Sequence, residues 1–294
     1  MAQRFMLGIN GQGTRLAGRV KMGIAARMAR MLGMFGVVVL GMLLLPAMAL
    51  AQSGSLAGFG IVMVHGKGGR PTGPTKALAD ALEAEGAAVM SPRMAWSGTA
   101  GQPDSYDIPY EQALAEISQA IAGLRAKGAR KIVIAGQSLG ANAVIAYAAR
   151  HPAGLAGVIS LAAGHTPERF DRPDIIAAVE KARQMIKAGR GQDVADFADS
   201  NQGKNFQVKG TPKAYLSFFD PTGPAVIPRN AAAMPKVPFL WVIGNADRLA
   251  QLGPGYAFEA GAKHPKSQYK VVNAGHIDTP TAAKSEVIAW LKSL

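Results

Sequence analysis

From residue 60 onward the chain repeats one phrase: a short apolar run, a turn containing glycine, then a segment with apolar positions at helical spacing. The apolar runs fall at residues 60–64, 87–90, 131–135, 158–161, 239–243 and 269–272. They are continuous rather than alternating, which is the pattern of strands buried on both faces of a parallel sheet. Helices are predicted between them. Residues 74–85 carry Ala77, Leu78, Ala81 and Leu82 on one face, and 110–127 carry Leu114, Ile117, Ile121 and Leu124. An alanine-rich helix ends near Arg150, and residues 282–294 form a terminal one. Strand and helix in regular alternation predict an α/β fold with a doubly wound, mostly parallel sheet.

Residues 165 to about 235 break this rhythm. An amphipathic helix at 174–188 is followed by a polar stretch to Lys209 and a passage punctuated by Pro212, Pro221, Pro224, Pro228 and Pro235. The expectation is a small helical cap inserted into one domain spanning 52–294, not a second domain.

The segment ahead of residue 52 has no Asp or Glu and reads as a targeting signal. Lys21, Arg27 and Arg30 precede an uncharged stretch, 31–51, that contains Val37-Val38-Val39-Leu40 and Leu43-Leu44-Leu45. Pro46 breaks it, and Ala49-Leu50-Ala51 supplies small residues at the −3 and −1 positions. The expected outcome is a signal peptide over 1–51, cleaved after Ala51, and export to the periplasm or beyond. The same stretch could span a bilayer of about 30 Å as a retained anchor, but Gly33, Gly36, Gly41 and Pro46 favour removal.

This split changes how the charge is read. Of the formal +13, six positive charges lie in the leader, leaving +7 on residues 52–294. These lysines and arginines are scattered and not interleaved with aromatics, so no nucleic-acid partner is expected. Peripheral attraction to anionic envelope surfaces is the milder consequence. Zero cysteines exclude disulfides, cysteine-ligated zinc, iron–sulfur clusters and thiol nucleophiles. No metal and no cofactor is expected, because no ligand spacing and no phosphate-binding glycine motif occurs.

Chemistry concentrates at strand ends. Gly136-Gln137-Ser138-Leu139-Gly140 has the G-x-S-x-G form, directly after an apolar strand and before a helix, where a sharp turn would lift a serine hydroxyl clear of the backbone. A serine needs a base and a group that orients it. Of five histidines, His276 follows the last strand, on the same edge as Ser138; His151, His165 and His264 sit at less suggestive positions. Asp247 follows the strand 239–243 and is the preferred acid, with Asp220 and Asp278 as alternatives. The N–H groups of Leu139 and Lys67 are the candidate oxyanion donors. His65, Gly66 and Gln137, beside them, are expected to touch substrate. The aromatics Phe197, Phe206, Tyr215, Phe218 and Phe219 of the insertion either recognise substrate or pack the cap; for any one of them packing is the preferred reading.

In these features residues 60–294 resemble the α/β-hydrolase superfamily. The loop at His65-Gly66, the elbow at 136–140, Asp247 and Gly275-His276 occur in that family's order. The resemblance implies a cap at 165–235 closing over the site, and the family's two leading antiparallel strands would here be absent or very short. It implies a cofactor-independent serine hydrolase, carboxylesterase-like, acting on a small-molecule ester or related acyl bond. A peptidase or thioesterase of the same fold, or a non-catalytic binding relative, are the alternatives.

Overall fold

The computed structural model describes residues 56–151 and 153–294. The leader and its expected cleavage site lie outside the described residues. β1 (Phe59–Val64) is followed by α1 (Lys76–Ala84), β2 (Ala88–Met90) and a small ribbon of β3 (Gly98–Thr99) and β4 (Gln102–Pro103). α2 (Tyr110–Ala113) and α3 (Ala115–Ala126) lead to β5 (Lys131–Ser138), α4 (Leu139–Arg150) and β6 (Gly157–Ala163). Next come α5 (Pro173–Lys187), β7 (Ala195–Asn201), β8 (Lys204–Gly210), α6 (Pro212–Phe219) and α7 (Ile227–Ala233). β9 (Phe239–Gly244), α8 (Phe258–Gly261), β10 (Gln268–Val272), α9 (Thr279–Ala282) and α10 (Lys284–Lys292) complete the chain.

Each of the six apolar runs is a strand of one sheet, in the order β10-β9-β6-β5-β1-β2, and every pairing is parallel. The four inner strands are apolar because both faces are covered, while the edge strands β2 and β10 are only partly buried. In β1, Val62 and Val64 enter the core shared with α3 and α4, while Ile61 and Met63 enter the one shared with α1 and α10. The chain moves outward from β1 to β2 and then returns to the opposite flank of β1 with β5. That reversal opens a crevice at the carboxyl ends of β1 and β5, where open α/β sheets bind ligands. Among the described residues no antiparallel strand precedes β1.

Two expectations need correction. The helix predicted over 110–127 is interrupted at Leu114. The insertion is not simply helical: β7 and β8 form a seven-residue antiparallel hairpin. Its turn residues, Gln202 and Gly203, both have positive φ, +50° and +76°, the combination that a two-residue hairpin turn of the right twist requires. Asn-Gly would advertise such a turn; Gln-Gly does not, and Asp196, Asp199, Ser200 and Asn201 give β7 little strand propensity. Asn142 of α4 pins both ends of the excursion, its amide donating to the carbonyls of His165 at 2.7 Å and Ala225 at 2.8 Å. Among the described residues no helix is long and apolar enough to cross a membrane.

Candidate active site

Ser138 ends β5 and precedes α4, with φ +57° and ψ −120°. That conformation is strained for a residue with a side chain, and strain of this kind clusters at functional sites. The turn is tight enough to dictate its glycines. A Cβ on Gly136 would come within 2.2 Å of the Gly140 carbonyl oxygen, and one on Gly140 within 2.4 Å of the Val64 carbonyl oxygen. Ser138 lines two cavities, of about 790 and 220 Å³, and His276 lines both with it.

His276 lies beyond β10, and its Nδ1 is 2.6 Å from Oδ2 of Asp247, just past β9. The other Asp247 oxygen accepts the Leu249 N–H at 2.9 Å. Burial pushes this carboxyl up, but the His276 hydrogen bond and charge, with the Leu249 N–H, outweigh it and hold the group below its usual range. The imidazole is thus oriented by an ionised partner. Gly164, at the end of β6, closes the arrangement: a Cβ there would stand 2.8 Å from Ser138 Oγ and 3.2 Å from His276 Cε1. The serine hydroxyl and the imidazole thus both border this glycine.

None of the competing residues contacts His276 or Asp247 through its side chain, and most are engaged elsewhere. His151 stacks on Tyr147, and His264 accepts the Lys266 N–H. His165 borders the larger cavity, but its Nε2–H donates to the Phe218 carbonyl at 2.8 Å. Burial, reinforced by the Lys67 charge, lowers its pKa far below the usual value. Asp220 bonds Thr222 and Arg183, and Asp278 occupies the N-cap position of α9 without a side-chain capping bond.

The loop after β1 departs from expectation at His65, which is 1% exposed and borders neither cavity. Its Nδ1 meets the Gly66 carbonyl at 2.8 Å, and its Nε2 accepts the Met94 N–H at 3.3 Å while also meeting Ser97 Oγ at 2.9 Å. An Nδ1–H tautomer satisfies all three, and burial lowers the ring's pKa, keeping it neutral. The Gly66 carbonyl also accepts the Gly69 N–H, so the 66–67 peptide is held from its oxygen side, and in a trans peptide the Lys67 N–H points the opposite way. His65 therefore orients the loop rather than touching substrate. Gly66 borders the smaller cavity, where a Cβ would lie 2.6 Å from Gln137 Oε1. Gln137 borders the same cavity, and its amide donates to the His276 carbonyl at 3.4 Å, tying the serine turn to the histidine loop. Leu139 begins α4, so its N–H is among those without a partner inside the helix.

The Lys67 side chain is buried. Its Nζ contacts Asp199 Oδ1 at 2.6 Å and the Ser200 carbonyl at 3.2 Å, over the Phe219 ring. The larger cavity is lined by Thr166, Arg169, Ser200, Gln202, Arg248 and Gln251, with Phe170, Leu249 and Leu252 as its larger apolar groups. None of the five insertion aromatics singled out in the sequence borders either cavity. Phe197, Tyr215, Phe218 and Phe219 are buried against one another and against Tyr106 and Tyr110. Among the described residues no group of three His, Asp or Glu could hold a metal.

Sequence reasoning missed Gly164, Asp199 and Asn142. Asn142 had a visible signal, a lone amide in an otherwise apolar helix, and Gly164 a weaker one at a strand end. Asp199 had none.

Among curated proteins none matches significantly. The fold resembles a metagenome-derived lipolytic enzyme at 17% identity and TM-score 0.59, covering 81% of this chain and 95% of that one. It also resembles a monoacylglycerol lipase from Paleococcus ferrophilus at 20% identity and TM-score 0.55, covering 80% and 94%. A thioesterase domain from the curacin biosynthetic pathway matches at 18% and 0.50, covering 81% and 92%. At such identities the likeness speaks for the fold. The alpha/beta hydrolase family model matches residues 61–289, and the chain belongs to that family.

Proposed function

We propose that the chain is a serine hydrolase cleaving an ester or related acyl bond through Ser138, His276 and Asp247. The observation carrying this reading is the 2.6 Å contact between His276 and an ionised Asp247 beside the strained Ser138 turn. Ser138 Oγ attacks the acyl carbon, and its proton passes to His276 Nε2, while Asp247 accepts the Nδ1–H and stabilises the imidazolium. The carbonyl oxygen, now negative, is met by the N–H groups of Lys67 and Leu139 at the positive end of α4. Collapse expels the alcohol, which takes the proton from His276. Water repeats the sequence on the acyl-enzyme and restores Ser138.

The substrate reading is a small ester with a hydrophilic portion. Arg169, Arg248, Gln202 and Gln251, all exposed, line the larger cavity and offer hydrogen-bonding groups to a polar portion of the substrate. The expected export, and the expected attraction to anionic surfaces, would place such substrates in the envelope or outside it.

Fluorophosphonate labelling with Ser138→Ala as control tests the mechanism. Labelling that vanishes in the variant, with kcat for p-nitrophenyl acetate down by at least about 10⁴, is expected. Labelling that survives Ser138→Ala rejects the nucleophile, and none in the native protein favours a binding relative. Parallel assays on thioesters and peptides separate the acyl classes. The mass of the N-terminus of exported protein tests cleavage after Ala51.

A further inference from the structure

We propose that Asp199, in the hairpin of the insertion, is a positioning residue for the oxyanion loop, so that the cap helps set the site's electrostatics. The inference rests on the Lys67 N–H serving the oxyanion, as read above. A buried ammonium needs a compensating charge and full hydrogen bonding, and here every partner comes from outside the Lys67 loop. Asp199 is fully buried and faces Lys67 Nζ at 2.6 Å. Its other oxygen accepts the Tyr106 hydroxyl at 3.0 Å, and the Ser200 N–H donates to Oδ1 at 2.6 Å. The carboxylate is therefore held on three sides. Burial first, and the Asp199 charge next, keep Tyr106 a phenol and hence a donor.

The hairpin also grips the main chain of the same residue. Asn201 Nδ2 donates to the Lys67 carbonyl at 3.3 Å and to the Gly101 carbonyl at 2.8 Å. With the Gly66 carbonyl held by His65 and Gly69, the peptides on both sides of the Lys67 Cα are fixed: one within the loop after β1, the other by Trp96, whose carbonyl accepts the Gly68 N–H at 3.0 Å, together with Asn201 of the cap. Side chain and carbonyl together leave Lys67 little freedom to turn its N–H away from the cavity. A displacement of about 1 Å in a catalytic donor can cost on the order of 10² in rate, so the clamp has kinetic consequences.

The experiment separates positioning from folding. Asp199→Asn keeps the shape but strands a buried ammonium, so both kcat and Tm should fall. The double variant Lys67→Met/Asp199→Leu removes both charges while keeping the Lys67 N–H, and apolar replacement of a buried pair is often tolerated. Its Tm should lie above that of Asp199→Asn, short of native because the Tyr106 hydroxyl and Ser200 N–H lose their acceptor, while kcat for p-nitrophenyl acetate stays at least about tenfold down and KM changes less than about threefold. Asn201→Ala, which strands no charge, should lower kcat several-fold with the same split. Recovery of kcat together with Tm in the double variant, or a native kcat in Asn201→Ala, would overturn the clamp while leaving the hydrolase reading intact. Undiminished turnover in Ser138→Ala would overturn both. Should the double variant not fold, Asn201→Ala decides alone.

Discussion

The carboxyl edge of the sheet and the insertion above it share one cavity, yet they build it by different rules. The sheet contributes side chains at strand ends: Ser138 after β5, Asp247 after β9, His276 after β10. Their placement follows from the strand register, and glycines at 136, 140 and 164 admit the close approaches. The insertion contributes a buried aromatic cluster, a polar wall, and Asp199, which it places against Lys67 of the loop after β1, 132 positions away. One half is arranged by local geometry, the other by long-range packing. Substitutions in the two halves should therefore fail differently, the first through kcat and the second through stability, except at Asp199 and Asn201, whose contacts with Lys67 carry through to kcat.

The largest contrast is expected among the acids. Asp247→Asn should lower kcat by about 10² to 10⁴ with little loss of fold, because an amide favours the wrong imidazole tautomer. Asp220→Asn and Asp278→Asn, outside the contact with His276, should cost far less. Steady-state kinetics on the three variants checks this, and a crippled Asp220→Asn enzyme would move the acid into the insertion and dissolve the division drawn here.

In the insertion the matching test is Phe218→Ala. Phe218 is 1% exposed and its ring meets those of Tyr106 at 4.7 Å and Tyr110 at 5.3 Å. Emptying that volume should cost about 3–5 kcal/mol of stability, seen as a Tm lower by roughly 10 °C. KM for small esters should change little, since the ring does not border the cavities. A large KM change with Tm intact would return the aromatics to substrate recognition.

The same division governs what could be read from sequence. Six strands and three strand-end residues were legible because apolar runs between glycines have few other ways to be buried, and a parallel sheet brings their ends together. The β7–β8 hairpin was not, because Asp196, Asp199 and Asn201 suppress its strand signal and Gln202 hides the turn. Lys67 was read only for its backbone N–H, and its side chain as a buried cation was not foreseen, since its partner Asp199 is distant in sequence. His65 was misread for the opposite reason: its position beside the crevice was right, but both ring nitrogens are used inside the protein.

Gly164→Ala sharpens the sheet side further. The added methyl would stand 2.8 Å from Ser138 Oγ and 3.2 Å from His276 Cε1, and the side chains rather than the core must yield. Turnover should fall by about 10- to 100-fold with Tm changed by only a few degrees. A native kcat would mean that the Ser138 hydroxyl and His276 ring tolerate displacement from beside Gly164.

The smallest effect, and the one that compares the halves by the same residue type, is in the pH dependence of stability. His65 on the sheet side and His165 on the insertion side are both kept neutral by burial, with pKa values below the ordinary 6.5. Below about pH 6.5 the unfolded chain takes up protons that the folded one refuses, so stability must fall as pH falls toward the folded values, by up to about 1.4 kcal/mol per unit for each histidine. Asp247 runs on a different window: its lowered pKa contributes stability above the usual 3.8 that is lost only in stronger acid. Thermal unfolding between pH 7.5 and 5 should thus show Tm declining on the acid side, and His165→Asn should flatten that decline by about one proton's worth. His165 sits where the cap begins, with its Nδ1 buried and unpartnered, so its removal spares the sheet. His65→Asn, whose ring is shifted less, should flatten the decline by less but also lower kcat, because it frees the 66–67 peptide. Equal kcat losses in the two variants would show that cap and sheet edge are not separable in the way the cavity walls indicate.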